Sequence, residues 1–193
     1  MLDYNTFFPY TKPRKEQRNA IEFAIDAIKK SDKRFVIIEA GTGVGKSAIG
    51  LTLSRYLEQA VPNKEGFAQG GYFLTTQKIL QAQYENDFGK PRGEMKSVYS
   101  ASNYRCKFHK ANDCRTSQQM LRTADRKSAF FKACAGTCKY KNAKRAFLES
   151  PESVTNFPYF LTEATYSGGI TPRKILVIDE AHNTESVLSN FVE

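Results

Sequence analysis

The stretch IIEAGTGVGKSAIGLTL, residues 37–53, decides how the rest of the chain is read. Its first residues belong to "RFVIIEA" (34–40), a short β-branched run that predicts a buried parallel strand. Glycines then break the strand, and "KSAIGLTLSRYLEQA" (46–60) resumes a helical pattern. Strand, glycine-rich turn and helix in that order make a phosphate cradle, because the glycines let successive N–H groups curl inward toward anionic oxygens. Gly41, Thr42, Gly43 and Gly45 supply the loop. Lys46 would reach the β- and γ-phosphates of ATP, and the Ser47 hydroxyl would ligate Mg2+. Ala40 stands where the commonest form of the pattern has its first glycine. An ordinary glycine turn is the plain alternative, and placement between a strand and a helix weighs against it.

Some 130 residues downstream, "KILVIDE" (174–180) is a second apolar strand, and it ends on two acids. In a parallel sheet such a strand delivers its last residues to the edge where the phosphate loop opens. Asp179 would hold Mg2+ there, and Glu180 would polarise the attacking water. His182, two residues on, would couple the nucleotide site to neighbouring elements.

Between these motifs strands and helices alternate. Apolar spacing predicts a helix over 15–30, "GGYFLTT" (70–76) a strand, and "QKILQAQYENDF" (77–88) another helix. "KSVYS" (96–100) is a weaker strand candidate, and "SVTN" (153–156) is a short one between the helical or mixed "KRAFLES" and "FPYFLTEAT". The alternation implies a parallel α/β sheet.

The 193 residues suit one domain with a substantial insertion, and the 40% hydrophobic content suits a sizeable core. No apolar run approaches the length of a membrane span, and the N-terminus lacks the plan of a secretory signal. The expected setting is cytoplasmic or nucleoid-associated, not secreted, with no membrane partner. The net charge of +9 is uneven: Lys90 to Arg145 carries +12, and the remainder carries −3. A basic segment with interspersed Tyr104, Phe108, Phe130, Phe131, Tyr140 and Phe147 suits a nucleic-acid track as well as a solvated face. All four cysteines, Cys106, Cys114, Cys134 and Cys138, fall in the same segment, separated by 7, 19 and 3 residues. Four thiolates can close a tetrahedral zinc site or hold a four-iron cluster, and the spacing alone does not choose. Core burial is expected to be poor in so charged a segment.

"EAGTGVGKS" (39–47) together with "VIDEAH" (177–182) resembles the superfamily 2 helicases of the XPD/DinG type. "FPYTKPRKEQ" (8–17) is similar to that family's N-terminal motif, which implies that Gln17 reads the adenine edge with Arg14 nearby. "FLTTQKILQAQY" (73–84) resembles the motif that touches the single-strand backbone, here through Thr75, Thr76 and Gln77, although the family often has a threonine where Gln77 stands. "SASNYRC" (100–106) resembles the lead-in to the family's first cluster cysteine.

The resemblance implies a RecA-like P-loop NTPase sheet formed by residues 1–99 and 146–193, with a small, mostly helical insertion over 100–145. It implies that the insertion holds a [4Fe-4S] cluster on the four cysteines, with Zn2+ as the alternative. Lys107, Lys110, Arg115, Arg126 and Lys127 would meet the phosphates of single-stranded or forked DNA. The activity implied is ATP-driven translocation, 5′ to 3′. The family's second RecA-like domain, and a strand lying between those of the phosphate loop and the DEAH motif, come later in sequence than the eleven residues after His182. The expectations are therefore an incomplete sheet, a second half supplied by further sequence or a separate polypeptide, and little turnover by this chain alone. Two other readings stay open: a non-catalytic nucleotide-dependent single-strand-binding module, and a zinc-stabilised nucleic-acid-binding protein.

Overall fold

The computed structural model describes residues 2–31, 33–90, 94–136 and 138–192. After a 3-10 turn at Tyr4–Phe7, α1 spans Lys15–Lys30 and buries Ile21 and Ala24, one helical turn apart, as the spacing predicts. Helix α2 (Lys46–Ala60) follows the glycine loop, and strand β1 (Ala68–Thr75) follows that. Helix α3 (Lys78–Tyr84) runs into a π-helical turn at Glu85–Gly89, and β2 (Met95–Ser97) is short. Three helices, α4 (Cys114–Leu121), α5 (Ala129–Gly136) and α6 (Lys139–Glu149), fill the cysteine-bearing region. Then come β3 (Glu152–Asn156), α7 (Phe157–Thr162), β4 (Arg173–Ile178) and α8 (Thr184–Val192).

The four strands form one parallel sheet in the order β2-β3-β1-β4. This is the expected α/β architecture of a RecA-like helicase domain. Gly71 of β1 stands beside Glu152 of β3 and Ile175 of β4, which fixes the register across the sheet centre. Alternate residues of β1 serve opposite faces, and the core divides accordingly. Tyr72 packs with Val98, Phe147 and Tyr159 on one face, while Phe73 packs with Leu51, Tyr84, Phe88 and Val154 on the other. A third cluster of Phe8, Ile21, Ala48 and Ile49, backed by Ile38 and Val44, ties α1 to α2 beneath the glycine loop. Gly50 lets α2 lie close on β4: a Cβ there would stand 2.8 Å from Val177 Cγ1.

The segment 34–40 departs from the expected buried strand. It has no strand pairing, and Phe35 and Ile37 are 84% and 87% exposed. Val36, Ile38 and Ala40 alternate with them as half-buried residues, so the chain is patterned as a strand but has no neighbour to pair with. The sheet ends at β4, whose Leu176 is 48% exposed, and among the described residues no strand lies between β4 and this segment. Phe23 and Ala27 of α1 line a groove with Phe35, Val36 and Ile37, together with Asp26, Lys30, Ser31 and Lys33.

The cysteine-bearing region is also better buried than its charge suggests. Cys114 and Cys138 belong to the same core cluster as Tyr72 and Phe147, and α6 runs unbroken across residues 145 and 146. Helix α6 is tied to α7 and the turn after it by Tyr140, whose hydroxyl lies 3.0 Å from that of Tyr159 and donates to Glu163 at 3.2 Å.

Candidate functional site

Gly45 sits at φ +86°, in the left-handed region, and turns the loop into α2. Arg14 and Gln17, from the start of α1, grip that loop. The Arg14 guanidinium donates to the carbonyls of Gly43 (2.9 Å) and Val44 (2.8 Å), and the Gln17 amide donates to Val44 O at 2.9 Å. Gln17 Oε1 meanwhile accepts from the Arg14 N–H at 2.9 Å, and the residue is only 4% exposed. The two side chains expected beside an adenine ring are thus also the braces of the phosphate loop. Gly41, Thr42 and Gly43 are exposed, and Lys46 and Ser47 are half-buried at the first turn of α2, where orphan N–H groups favour an anion.

The two motifs meet. Lys46 Nζ lies 3.5 Å from Glu180 Oε1 and donates to Ala40 O at 3.3 Å, so loop lysine and strand-end acid form an ion pair. Glu180 itself is the described non-glycine residue with positive φ, +54°, a strained geometry that turns the chain sharply off β4. Asp179 extends the ladder beyond β4, its N–H donating to Leu74 O at 2.9 Å. Its carboxylate is held at both oxygens: Oδ1 accepts the Glu180 N–H at 3.0 Å, and Oδ2 accepts the Tyr84 hydroxyl at 3.1 Å. Burial raises the Tyr84 phenol well above its ordinary range, the Asp179 carboxylate adds to this, and a hydrogen bond from Ser47 opposes it. Tyr84 was absent from the sequence-based candidates; it reads there as one more apolar position of a helix. His182 stays local, its ring nitrogens meeting Glu180 Oε2 at 3.3 Å and the Asn183 amide at 3.0 Å.

The expected single-strand contacts lie at the end of β1. Thr75 is 1% exposed, with its hydroxyl donating to Gln77 O at 3.1 Å. Thr76 Oγ1 is buried without a hydrogen-bond partner among the described residues, whereas Gln77 is exposed. Lys107, Lys110, Arg115, Arg126 and Lys127 are all exposed, as phosphate contacts must be. Of the interspersed aromatics, Tyr140 and Phe147 are core, and Phe108 is 47% exposed against Phe130 and His109.

All four cysteines are buried, none is in a disulfide, and all four line one cavity with Phe108 and Ser117. Cys114 and Cys138 bring their sulfurs to 3.7 Å. Among the described residues no group of three or more His, Cys, Asp or Glu side chains is drawn together as a ready metal site. Burial raises the Cys106 thiol, but the Ser117 hydroxyl and the N–H groups of His109 and Phe108 outweigh it and leave the thiol below its ordinary value. Cys114 is pushed up to about 11 by burial and by Cys138 beside it. The donor set, four reduced sulfurs facing one space, fits a thiolate-bound group.

No helix among the described residues is long and apolar enough to cross a membrane. Residues 10–190 match the family model described as "Type III restriction enzyme, res subunit". No curated protein matches the chain.

Proposed function

Because the chain belongs to the family of type III restriction enzyme res subunits, whose domains are superfamily 2 helicase-type RecA-like units, we propose that it is the first motor domain of an ATP-dependent, iron–sulfur DNA helicase of the XPD/DinG type. The observation that carries the motor reading is the meeting of Lys46 with Glu180 beside Asp179, from segments far apart in sequence. In this reading Lys46 and the loop N–H groups hold the phosphates, and Ser47 and Asp179 hold Mg2+. Glu180 then leaves Lys46 and orients the attacking water. Bound Mg2+ supplies neutralising charge on the β- and γ-phosphates. Gln17 and Arg14 carry the base-side contact, and their grip on Val44 O links base occupancy to loop shape.

Residues 1–99 and 146–193 form the nucleotide-binding unit, and residues 100–145 the insertion that meets the strand. Gln77, exposed just past the end of β1, contacts single-stranded or forked DNA, whereas the buried Thr75 and the buried Thr76 hydroxyl shape the turn behind it, with Lys107, Lys110 and Arg115 tracking the phosphates. A second RecA-like jaw would complete the site, and translocation runs 5′ to 3′ by the family resemblance. The setting is cytoplasmic or nucleoid-associated.

A [4Fe-4S] cluster is favoured in the cysteine cavity. What supports it is the family resemblance together with the four cysteines around one space, which could supply the four thiolates of such a cluster. One observation favours zinc instead. A zinc–sulfur bond of about 2.3 Å gives tetrahedral sulfurs about 3.8 Å apart, and Cys114 and Cys138 are separated by 3.7 Å.

Anaerobic purification of the chain decides between them. A brown protein with iron and sulfide supports the helicase reading, and stoichiometric zinc without iron overturns its iron–sulfur part. For the motor part, the purified chain should bind Mg2+–ATP weakly and hydrolyse it slowly. Robust DNA-stimulated hydrolysis by these 193 residues would show that no second jaw is required.

A further inference from the structure

We propose that Tyr84 is a positioning residue that sets the Asp179 carboxylate for Mg2+ and makes helix α3 the strut between that carboxylate and the strand-binding end of β1. The inference rests on the reading of Asp179 and Ser47 as the metal-holding pair.

A carboxylate at the end of a strand has no fixed orientation of its own. Its χ torsions are free unless partners hold both oxygens. Here both are held: Oδ1 by the next residue's N–H, and Oδ2 by the Tyr84 hydroxyl at 3.1 Å. The first contact is local and comes with the turn. The second reaches across 95 positions of sequence and comes from a different element. Tyr84 is 3% exposed, and its ring is clamped by Phe73 and Phe88, each with its centroid 5.8 Å away. The hydroxyl therefore has little freedom to follow the carboxylate; the carboxylate takes its orientation from the ring.

The other end of the strut is equally fixed. Helix α3 begins immediately after Gln77, whose carbonyl accepts from Thr75 and from the Gln81 N–H. Seven residues of helix separate that end from Tyr84, about 10 Å at 1.5 Å per residue. Gln81, fully buried, pins the middle to β2 by donating to Val98 O at 2.9 Å and Ser97 Oγ at 2.8 Å. Helix α3 therefore joins Gln77 to the phenol as one held unit, so that a strand bound at Gln77 bears on the element that orients Asp179. Partners that orient a metal ligand from behind commonly change metal affinity by 10- to 100-fold when removed.

The test is Tyr84→Phe, which keeps the ring and its packing and removes the hydroxyl alone. A fluorescent ATP analogue is titrated into wild type and variant over a range of Mg2+ concentrations, with and without an oligothymidylate. The expected result is an Mg2+ requirement raised about 10-fold in the variant, a larger effect than any change in nucleotide affinity in EDTA. Oligothymidylate should shift the Mg2+ requirement of wild type and leave that of the variant in place. An unchanged Mg2+ requirement in Tyr84→Phe overturns the positioning role, and equal oligothymidylate shifts in both proteins overturn the strut. If wild type itself shows no Mg2+-dependent nucleotide binding, the metal-site reading fails first and takes this inference with it.

Discussion

At Gly45 a Cβ would stand 2.6 Å from Gln17 Nε2 and 3.4 Å from the Arg14 guanidinium, in a backbone at φ +86°. Gly45→Ala therefore strains the loop by roughly 1–2 kcal/mol and pushes away the two side chains that brace it. Nucleotide affinity should fall and the melting temperature should drop by about 2–8 °C, as a titration and a thermal scan would show. Arg173 is the opposite kind of residue, structural and deeply placed. Its guanidinium donates to the carbonyls of Gly71, Leu148 and Ser150 and to Ser153 Oγ, and it lies 4.1 Å over the Tyr72 ring. Burial lowers its pKa, yet these acceptors hold the charged form in place. Arg173→Met should cost about 2–4 kcal/mol in urea unfolding, because it orphans buried carbonyls. At this scale the sequence was legible where a motif fixes chemistry locally, as at Lys46 and Asp179. It was silent on Tyr84 and Arg173, whose partners are set only by how strands stack.

Among the elements, α2 packs closely on β4 through Gly50. Gly50→Ala would press a methyl to 2.8 Å from Val177 and displace the strand that presents Asp179. About 1–3 kcal/mol of overpacking strain is expected, together with weaker Mg2+–nucleotide binding; unaltered binding would show that the strand end tolerates the shift. The insertion helices invite a metal-removal test. Chelation or Cys134→Ser should raise hydrogen exchange across α4, α5 and the start of α6 while β1 and β3 stay protected. Uniform loss of protection would mean that the cysteine cluster supports the whole sheet through Cys114 and Cys138. Periodicity announced α1, α2, β1 and β4 nearly to the residue. It read 34–40 as a buried strand, which the structure does not bear out: pairing needs a neighbour, and no pattern within a segment tells whether one is present. The burial of the cysteines was missed for a related reason: the charges of α4–α6 face outward, and composition averages over both faces.

Across the whole molecule the charge is divided between a basic cysteine-bearing region and a slightly acidic remainder. Single-strand binding should weaken steeply with salt, with log K falling by about 0.7 per decade of salt for each phosphate neutralised. Replacing Lys107, Lys110 and Arg115 together by Ala should reduce that slope by about 2 if each meets one phosphate. A slope unchanged by the triple substitution would place the DNA track elsewhere. Parallel topology followed from the alternation of elements, whereas the order β2-β3-β1-β4 depends on long-range packing that no local pattern encodes.

The unpaired segment at 35–40 leads straight into the loop that Arg14 and Gln17 brace, so a strand that paired with it would bear on the same loop as a bound nucleotide. A strand docked beside Ile37 would order the root of the loop, and a bound nucleotide would order its tip. Each event would lessen the entropy left for the other to remove. Linkage would make such an effect reciprocal: a strand that tightened the nucleotide would itself be tightened by it to the same extent.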